Sequence, residues 1–235
     1  MNRRTLVTGG ARGIGAAIAQ TLVEAGYEVL VTGTSPDEGR APKGCAYRRC
    51  DFSDPGGLEA FARDLATRDV EILVNNAGIN KIGPLDQYDP EDFAKIQQVN
   101  VTAPFVLCRA VIPGMRQRKF GRIVNIASIF SLVSKAGRSA YSTSKFGLFG
   151  LTRALALEVA ADNVLVNCLS PGFVETQMTT RTLGERGVKD VLTQIPLGRL
   201  AQPQEIARSV RFLVSEDNTY MTGQNIVVDG GFTCG

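Results

Sequence analysis

The chain has 235 residues, 44% of them hydrophobic, and a formal net charge of +3. That length supports one substantial core, and no shift in composition marks a second domain. So small a charge argues against a nucleic-acid partner, and the absence of histidine removes Ser-His-Asp chemistry, His–Cys nucleophile pairs and histidine metal sites together. Acid–base work must then come from Tyr, Lys, Asp, Glu or Cys. Cys45, Cys50, Cys108, Cys168 and Cys234 are scattered without a C-x-x-C pair, the pattern of reduced thiols in a cytoplasmic protein. No signal peptide is expected before the first strand, and no apolar run is long enough to span a bilayer.

In chain order, Thr5-Leu6-Val7 reads as a short buried strand. Thr8-Gly9-Gly10-Ala11-Arg12-Gly13-Ile14-Gly15 follows, then a helix opened by Ala16, Ala17, Ile18, Ala19, Leu22 and Val23 and ended by Gly26. Strand, glycine turn and helix make a phosphate-binding arrangement. Glycines let the backbone approach a pyrophosphate, and the helix N-terminus offers unpaired N–H groups. The spacing is G-x-x-x-G-x-G rather than G-x-G-x-x-G. Glu28 to Thr32 is the second strand. Dinucleotide folds that prefer NAD place a carboxylate at its end, for the ribose 2′-hydroxyl. Here the end reads Gly33-Thr34-Ser35, and hydroxyls with Arg12 suit a 2′-phosphate, so the sequence leans towards NADP. Arg40 and Lys43 are further candidates; Asp37 and Glu38 are carboxylates that argue the other way. The short Gly- and Pro-containing link from Ser35 to Cys45 predicts no helix. Tyr47-Arg48-Arg49-Cys50 is a third strand, and Asp51 at its end is placed either to meet the adenine amino group or to cap the helix before Leu58 and Phe61.

Glu71-Ile72-Leu73-Val74 is a fourth strand, ending in Asn75-Asn76-Ala77-Gly78, which reads as a seat for a cofactor lying across the sheet or as a plain turn. Asp89 and Pro90 open a helix to about Val111, with Asn100 four residues before Pro104. Proline has no N–H for the Asn100 carbonyl, so the helix is expected to bend there and leave that carbonyl to a water. Arg122 to Ile126 is a fifth strand, followed by Ala127-Ser128 and a loop from Ile129 to Ala140. Tyr141 and Lys145 then stand four apart, on one face of a helix whose apolar residues Phe146, Leu148, Leu151, Leu155 and Val159 predict one buried side. Free tyrosine titrates near ~10, and a neighbouring ammonium lowers that value, making a usable acid–base pair. Val164 to Leu169 is a sixth strand, stopped by Ser170-Pro171-Gly172. Phe173 to Leu200 is a connection long enough for a lid or a linker. Pro203 to Val214 is helical, and Ile226-Val227-Val228 is a last strand before Asp229-Gly230-Gly231. The alternation predicts an α/β fold: residues 1–235 as a single doubly wound parallel sheet of Rossmann type, helices on both faces, with a substrate lid at about 173–200.

Thr8-Gly9-x-x-x-Gly13-Ile14-Gly15, Asn75-Asn76-Ala77-Gly78, Asn100, Ser128, Tyr141-x-x-x-Lys145 and Pro171-Gly172, in this order, resemble the short-chain dehydrogenase/reductase family over essentially the whole chain. Within it the chain looks most like members reducing 3-oxoacyl groups in fatty acid biosynthesis; sugar and polyol dehydrogenases share the motifs. The resemblance implies that Tyr141 exchanges a proton with the substrate oxygen. Lys145 would hold the nicotinamide ribose and lower the Tyr141 pKa, Ser128 would bind the substrate oxygen, and Asn100 would hold a water leading from Lys145. It implies a cofactor bed of Gly9, Ala11, Arg12, Gly13, Ile14, Gly15, Gly33, Thr34, Ser35, Asp51, Phe52, Asn76, Ala77, Gly78, Pro171, Gly172, Val174 and Thr176 for NADP(H), with NAD(H) as the alternative. Ser128, Ile129, Phe130, Phe173 and Met178 would meet a carbonyl or alcohol substrate, free or carrier-linked, with Leu132 and Val133 adding to an apolar wall. Lys135, Arg138 and Arg181 are basic residues that would meet an anionic group or simply face solvent. No metal, nucleic acid or membrane is expected. A homotetramer is, because the Tyr141 helix and the segment Ile226 to Cys234 carry apolar residues on more than one side. A sugar or hydroxy-compound dehydrogenase remains open, and so does a non-catalytic nucleotide-binding regulator, whose mark would be a broken Ser-Tyr-Lys set.

Overall fold

A computed structural model describes residues 3–37 and 41–234, so Glu38 and Arg40 lie outside the described residues. The strands are β1 Arg4–Val7, β2 Glu28–Gly33, β3 Ala46–Arg49, β4 Ile72–Asn75, β5 Gly121–Ile126, β6 Val164–Pro171 and β7 Asn225–Val228. They form one sheet in the order β3-β2-β1-β4-β5-β6-β7, every neighbouring pair parallel. The order reverses between β1 and β4, and in such sheets the crevice outside the strand C-termini at that point is where ligands bind.

Near-continuous apolar strands make this sheet, since both faces are covered. Successive residues alternate between faces. Leu6 and Leu73 pack with Leu58, Phe61, Leu107 and Leu155, while Val7, Ile72 and Val74 pack with Ile18, Leu22, Ile206 and Val210. The first face is covered by α2 Pro55–Leu65, α4 Ala103–Arg118 and α5 Ser139–Val159, and the second by α1 Gly13–Glu24 and α7 Pro203–Val214. No described helix is long and apolar enough to cross a membrane.

Three stretches depart from the sequence reading. The helix expected to end near Val111 starts as α3 Pro90–Gln97 and continues through α4 to Arg118. Pro113 and Arg109, whose carbonyl loses its partner, both face solvent, while Val111 and Met115 stay buried and hold the helix to the sheet. The bend at Pro104 takes a defined form: Gln98–Thr102 is a π turn, in which the Ala103 N–H reaches back five residues to the Gln98 carbonyl. The long connection after β6 holds a helix, α6 Gln177–Leu192, kinked at Gly184. Of its side chains only Val191 is buried, so little apolar burial fixes α6 to the body. Among the described residues the link from Ser35 to Cys45 has no helix, as read.

Candidate active site

The glycine turn is shaped by its neighbours. Gly9 and Gly13 have φ of +62° and +54°, and a Cβ on Gly15 would lie 2.3 Å from the Gly9 carbonyl and 2.5 Å from Asn76 Nδ2. Asn76 belongs to the turn after β4, and its Nδ2 donates to the carbonyls of Thr8 at 2.9 Å and Gly9 at 3.2 Å. The Thr8 hydroxyl accepts from the backbone N–H groups of Asn76 and Ala77, each at 3.0 Å. Asn75, in contrast, is buried and donates to Asn125, so it braces the core. The two loops at the switch point are thus tied into one bed. Arg12 is the N-cap of α1, and no side chain caps that helix, which leaves its first N–H groups facing the cleft. The backbone close to Gly15 has no room for a side chain, yet the turn opens an N–H-rich surface; a dinucleotide pyrophosphate fits it.

At the end of β2 the fit favours a 2′-phosphate. A Cβ on Gly33 would lie 2.8 Å from the Tyr47 hydroxyl, which donates to the Ser35 carbonyl at 2.6 Å, and 3.4 Å from the Ala11 Cβ. Tyr47 therefore fills the place where an aspartate would stand. Arg12 follows Ala11 and is exposed. Arg49, paired in register with Gly33, is exposed too and donates from Nε to the Thr34 carbonyl at 3.2 Å. Arg49 was invisible as a candidate in the sequence, because only strand pairing brings it to Gly33. The Asp37 N–H donates to the Ser35 hydroxyl. Asp51 does not cap α2; Asp54 does, accepting from Gly56 N, while Asp51 is exposed and is held below the usual carboxylate range by its bonds to Ser53. Phe52 packs its ring edge-on against Phe61 in the core, so only its backbone faces outward.

The other half of the crevice gathers the polar residues of the Tyr141 helix. The π turn aims the buried Asn100 side chain away from its own helix. Its Oδ1 accepts from Ile79 N at 2.9 Å, and its Nδ2 donates to the Ile79 carbonyl and the Ser144 hydroxyl, each at 3.0 Å. Ser144 in turn donates to the Tyr141 carbonyl at 2.7 Å, so Asn100 ties the turn after β4 to α5. Lys145, 3% exposed, donates from Nζ to the carbonyl of Ile126 at the end of β5, at 2.9 Å. A Cβ on Gly78 would lie 3.7 Å from that Nζ, so the turn after β4 runs beside the ammonium. Lys145 Nζ is 5.5 Å from the Tyr141 ring centre, and Phe130 packs edge-on to the same ring at 6.1 Å. Ser128 is extended and buried; its hydroxyl accepts from Phe130 N at 3.3 Å, and its carbonyl is gripped by Ser131.

Burial sets the titration of the pair. It raises the Tyr141 phenol above 10, against smaller pulls downward from the Ser128 hydroxyl and the Arg138 guanidinium. It lowers the Lys145 ammonium to about 8. The expected lowering of Tyr141 by Lys145 is absent: the ammonium is itself desolvated, and its bond runs to Ile126. The phenol thus holds its proton at neutral pH.

The remaining expected residues divide. Thr176 caps α6, its hydroxyl accepting from Thr179 N, and its methyl lies 3.5 Å from a Cβ built on Gly13. Pro171 ends β6 and Gly172 packs on Asp229. Val174 is buried and bridges to Ala201, so its backbone alone is available. Phe173 stacks edge-on with Phe232 at 5.2 Å. Met178, Leu132 and Val133 are exposed, whereas Ile129 is 1% exposed. Lys135 and Arg181 are exposed, but Arg138 is 6% exposed.

A nucleotide bed meeting a half-buried phenol and a buried hydroxyl and ammonium across one crevice defines an NAD(P)-dependent oxidoreductase. A family model described as enoyl-(acyl carrier protein) reductase matches residues 9–233. The chain is 37% identical to the 3-oxoacyl-[acyl-carrier-protein] reductase FabG of Chlamydia pneumoniae, over 99% of this chain and 98% of that protein. It is 41% identical to the acetoacetyl-CoA reductase of Rhizobium meliloti, over 98% of each. A gluconate 5-dehydrogenase from Burkholderia cenocepacia, solved in complex with NADP and tartrate, superposes with a TM-score of 0.91 at 29% identity, covering 100% of this chain and 97% of that one. The chain belongs to the short-chain dehydrogenase/reductase family.

Proposed function

We propose that the protein is an NADPH-dependent carbonyl reductase that converts the ketone of a 3-oxoacyl compound to a secondary alcohol. The observation that carries this reading is the Tyr141 phenol, held protonated beside Ser128 and Lys145 at the end of β5. NADPH, when bound, supplies the hydride. Ser128 and Tyr141 donate hydrogen bonds to the carbonyl oxygen, where negative charge grows as its carbon is reduced. Tyr141 Oη then gives that oxygen its proton. Lys145 Nζ, beside Gly78, is placed for the ribose next to the nicotinamide, and Asn100 with its tie to Ile79 holds the route by which a proton returns to the pair. Arg12 and Arg49 flank the seat of the 2′-phosphate; Gly9, Gly13, Gly15, Asn76 and Thr176 shape the pyrophosphate bed. Phe130, Phe173 and Met178 would meet the substrate under a lid formed by residues 173–200.

The family resemblance supports a single domain and a homotetramer, and the unpaired cysteines suit a cytoplasmic enzyme. A second reading, oxidation of a hydroxy acid, is favoured by one observation, the buried guanidinium of Arg138. Steady-state kinetics on 3-oxoacyl thioesters, 3-oxo acids and sugar acids with NADPH, NADH and their oxidised forms test the proposal. Ketone reduction with NADPH as the fastest reaction is expected; a regulator would turn over none of them.

A further inference from the structure

Arg138 lies three residues before Tyr141, at the N-cap of α5, and its side chain is 6% exposed. No hydrogen bond or ion pair to its guanidinium occurs among the described residues. Its guanidinium lies over the Phe130 ring, 5.1 Å from the centre, and Phe130 packs on Tyr141. A buried cation without a counter-ion is costly, and one ring face offsets only part of that cost. The nearby Lys135 is solvated, so the chain had an exposed cation available and buried another one beside the phenol instead.

The loop after Ile79 lies against the same turn. Ile82 would lie 3.1 Å from a Cβ on Gly137, and Gly83 N donates to the Gly137 carbonyl, so the loop after Ile79 roofs the turn that holds Arg138. Between Ile79, fixed by Asn100, and Ile82 stands Asn80, whose buried Oδ1 has no partner. An amide offers both a donor and an acceptor to a polar ligand. Resting on the reading that Ser128 and Tyr141 hold the carbonyl, we propose that Arg138 is the anion-binding residue of the substrate site and that the favoured substrate is a short oxo acid whose free carboxylate lies within a few atoms of its ketone. A planar guanidinium meets a carboxylate through two parallel hydrogen bonds, whereas an uncharged ester leaves it unpaired. One helical turn separates Arg138 from Tyr141, which limits the distance from anion to carbonyl. A carrier phosphate, many bonds from the ketone, does not suit that spacing.

The test compares kcat/KM for 3-oxobutanoate, its methyl ester and its coenzyme A thioester, with NADPH, in the wild-type enzyme and in Arg138→Gln and Arg138→Lys. The proposal expects wild-type enzyme to favour the acid over the ester by about tenfold or more, the discrimination of a charge-assisted bond. Arg138→Gln should collapse that ratio towards one, mainly through KM, and Arg138→Lys should keep part of it. No acid preference in the wild type overturns the proposal, as does a ratio unchanged in Arg138→Gln. A wild-type preference for the thioester that Arg138→Gln removes also overturns it, because the anion would then be the carrier's phosphate. Tyr141→Phe, run alongside, reports on the underlying site: turnover surviving there, with the ratio collapsed in Arg138→Gln, refutes the role of the phenol and leaves the anion site standing.

Discussion

The Tyr141 hydroxyl and the Lys145 ammonium are each displaced from their ordinary titration by burial, and in opposite directions. Both shifts favour the neutral form, which for Tyr141 is the proton donor that a reduction needs. Tyr141→Phe keeps the ring against Phe130 and removes the donor. It is expected to abolish turnover while NADPH still binds, as measured by stopped-assay kinetics and fluorescence titration. Lys145 carries a stability cost whose sign follows from its shift. With a folded-state value of about 8 against an ordinary 10.5, the ammonium is buried at full cost below pH 8. Between those values the unfolded chain binds more protons, so native stability rises with pH. Lys145→Met should therefore raise the melting temperature of the cofactor-free protein at pH 7 by at least about 2 °C, with a smaller gain at pH 10, and should lose activity. A lower melting temperature at pH 7 would show that the Nζ bond to Ile126 outweighs the desolvation.

Among the elements, the glycine turn and the turn after β4 act as one piece because Asn76 and Thr8 stitch them. Gly15→Ala forces a methyl to within 2.3 Å of a carbonyl that cannot retreat, since Asn76 holds it. The expected result is a loss of about 1–3 kcal/mol in stability and at least tenfold weaker NADPH binding, by chemical denaturation and titration. β2 and β3 place Arg49 next to Gly33, and the turn before α1 brings Ala11, the neighbour of Arg12, to 3.4 Å from a Cβ built on Gly33. Each charge-assisted contact to a phosphate contributes roughly 1.5–3 kcal/mol. NADPH should then exceed NADH by at least about tenfold in kcat/KM, and Arg12→Gln or Arg49→Gln should each raise the KM for NADPH far more than that for NADH. Equal use of both cofactors by the unaltered enzyme would disprove this assignment. Gly33→Asp should reverse the preference, and it must displace the Tyr47 hydroxyl to do so.

For the whole molecule, the exposed apolar side chains are the guide. Phe105 on α4 and Phe146 and Leu157 on α5 are 52%, 46% and 86% exposed. β7, at the edge of the sheet, is only half-buried along its length. A single chain leaves these surfaces in water, and apolar patches of this kind mark contacts between subunits. Light scattering is expected to give four copies of the 25.2 kDa chain. Phe105→Glu combined with Phe146→Glu should dissociate the assembly, and a tetramer surviving that double substitution would place the interface elsewhere.

Local sequence by itself determined the strands, the glycine turn, the Tyr141–Lys145 spacing and the place of the bend at Pro104. These depend on periodicity, on backbone freedom and on a missing N–H, all of which act within a few residues. What Asn100 touches, why Gly33 is glycine, and which arginines matter were decided by tertiary structure. Arg49 reaches Gly33 only through strand register. Tyr47 closes the end of β2 from a neighbouring strand, and α4 runs past Pro113 because Met115 is buried. Arg138 is the clearest case. In the sequence it is one basic residue among Lys135, Arg138 and Arg181, and nothing in its neighbours says which is solvated. Burial depends on how the ring of Phe130 folds back within the same connection and on the loop after Ile79, which comes from a distant part of the chain.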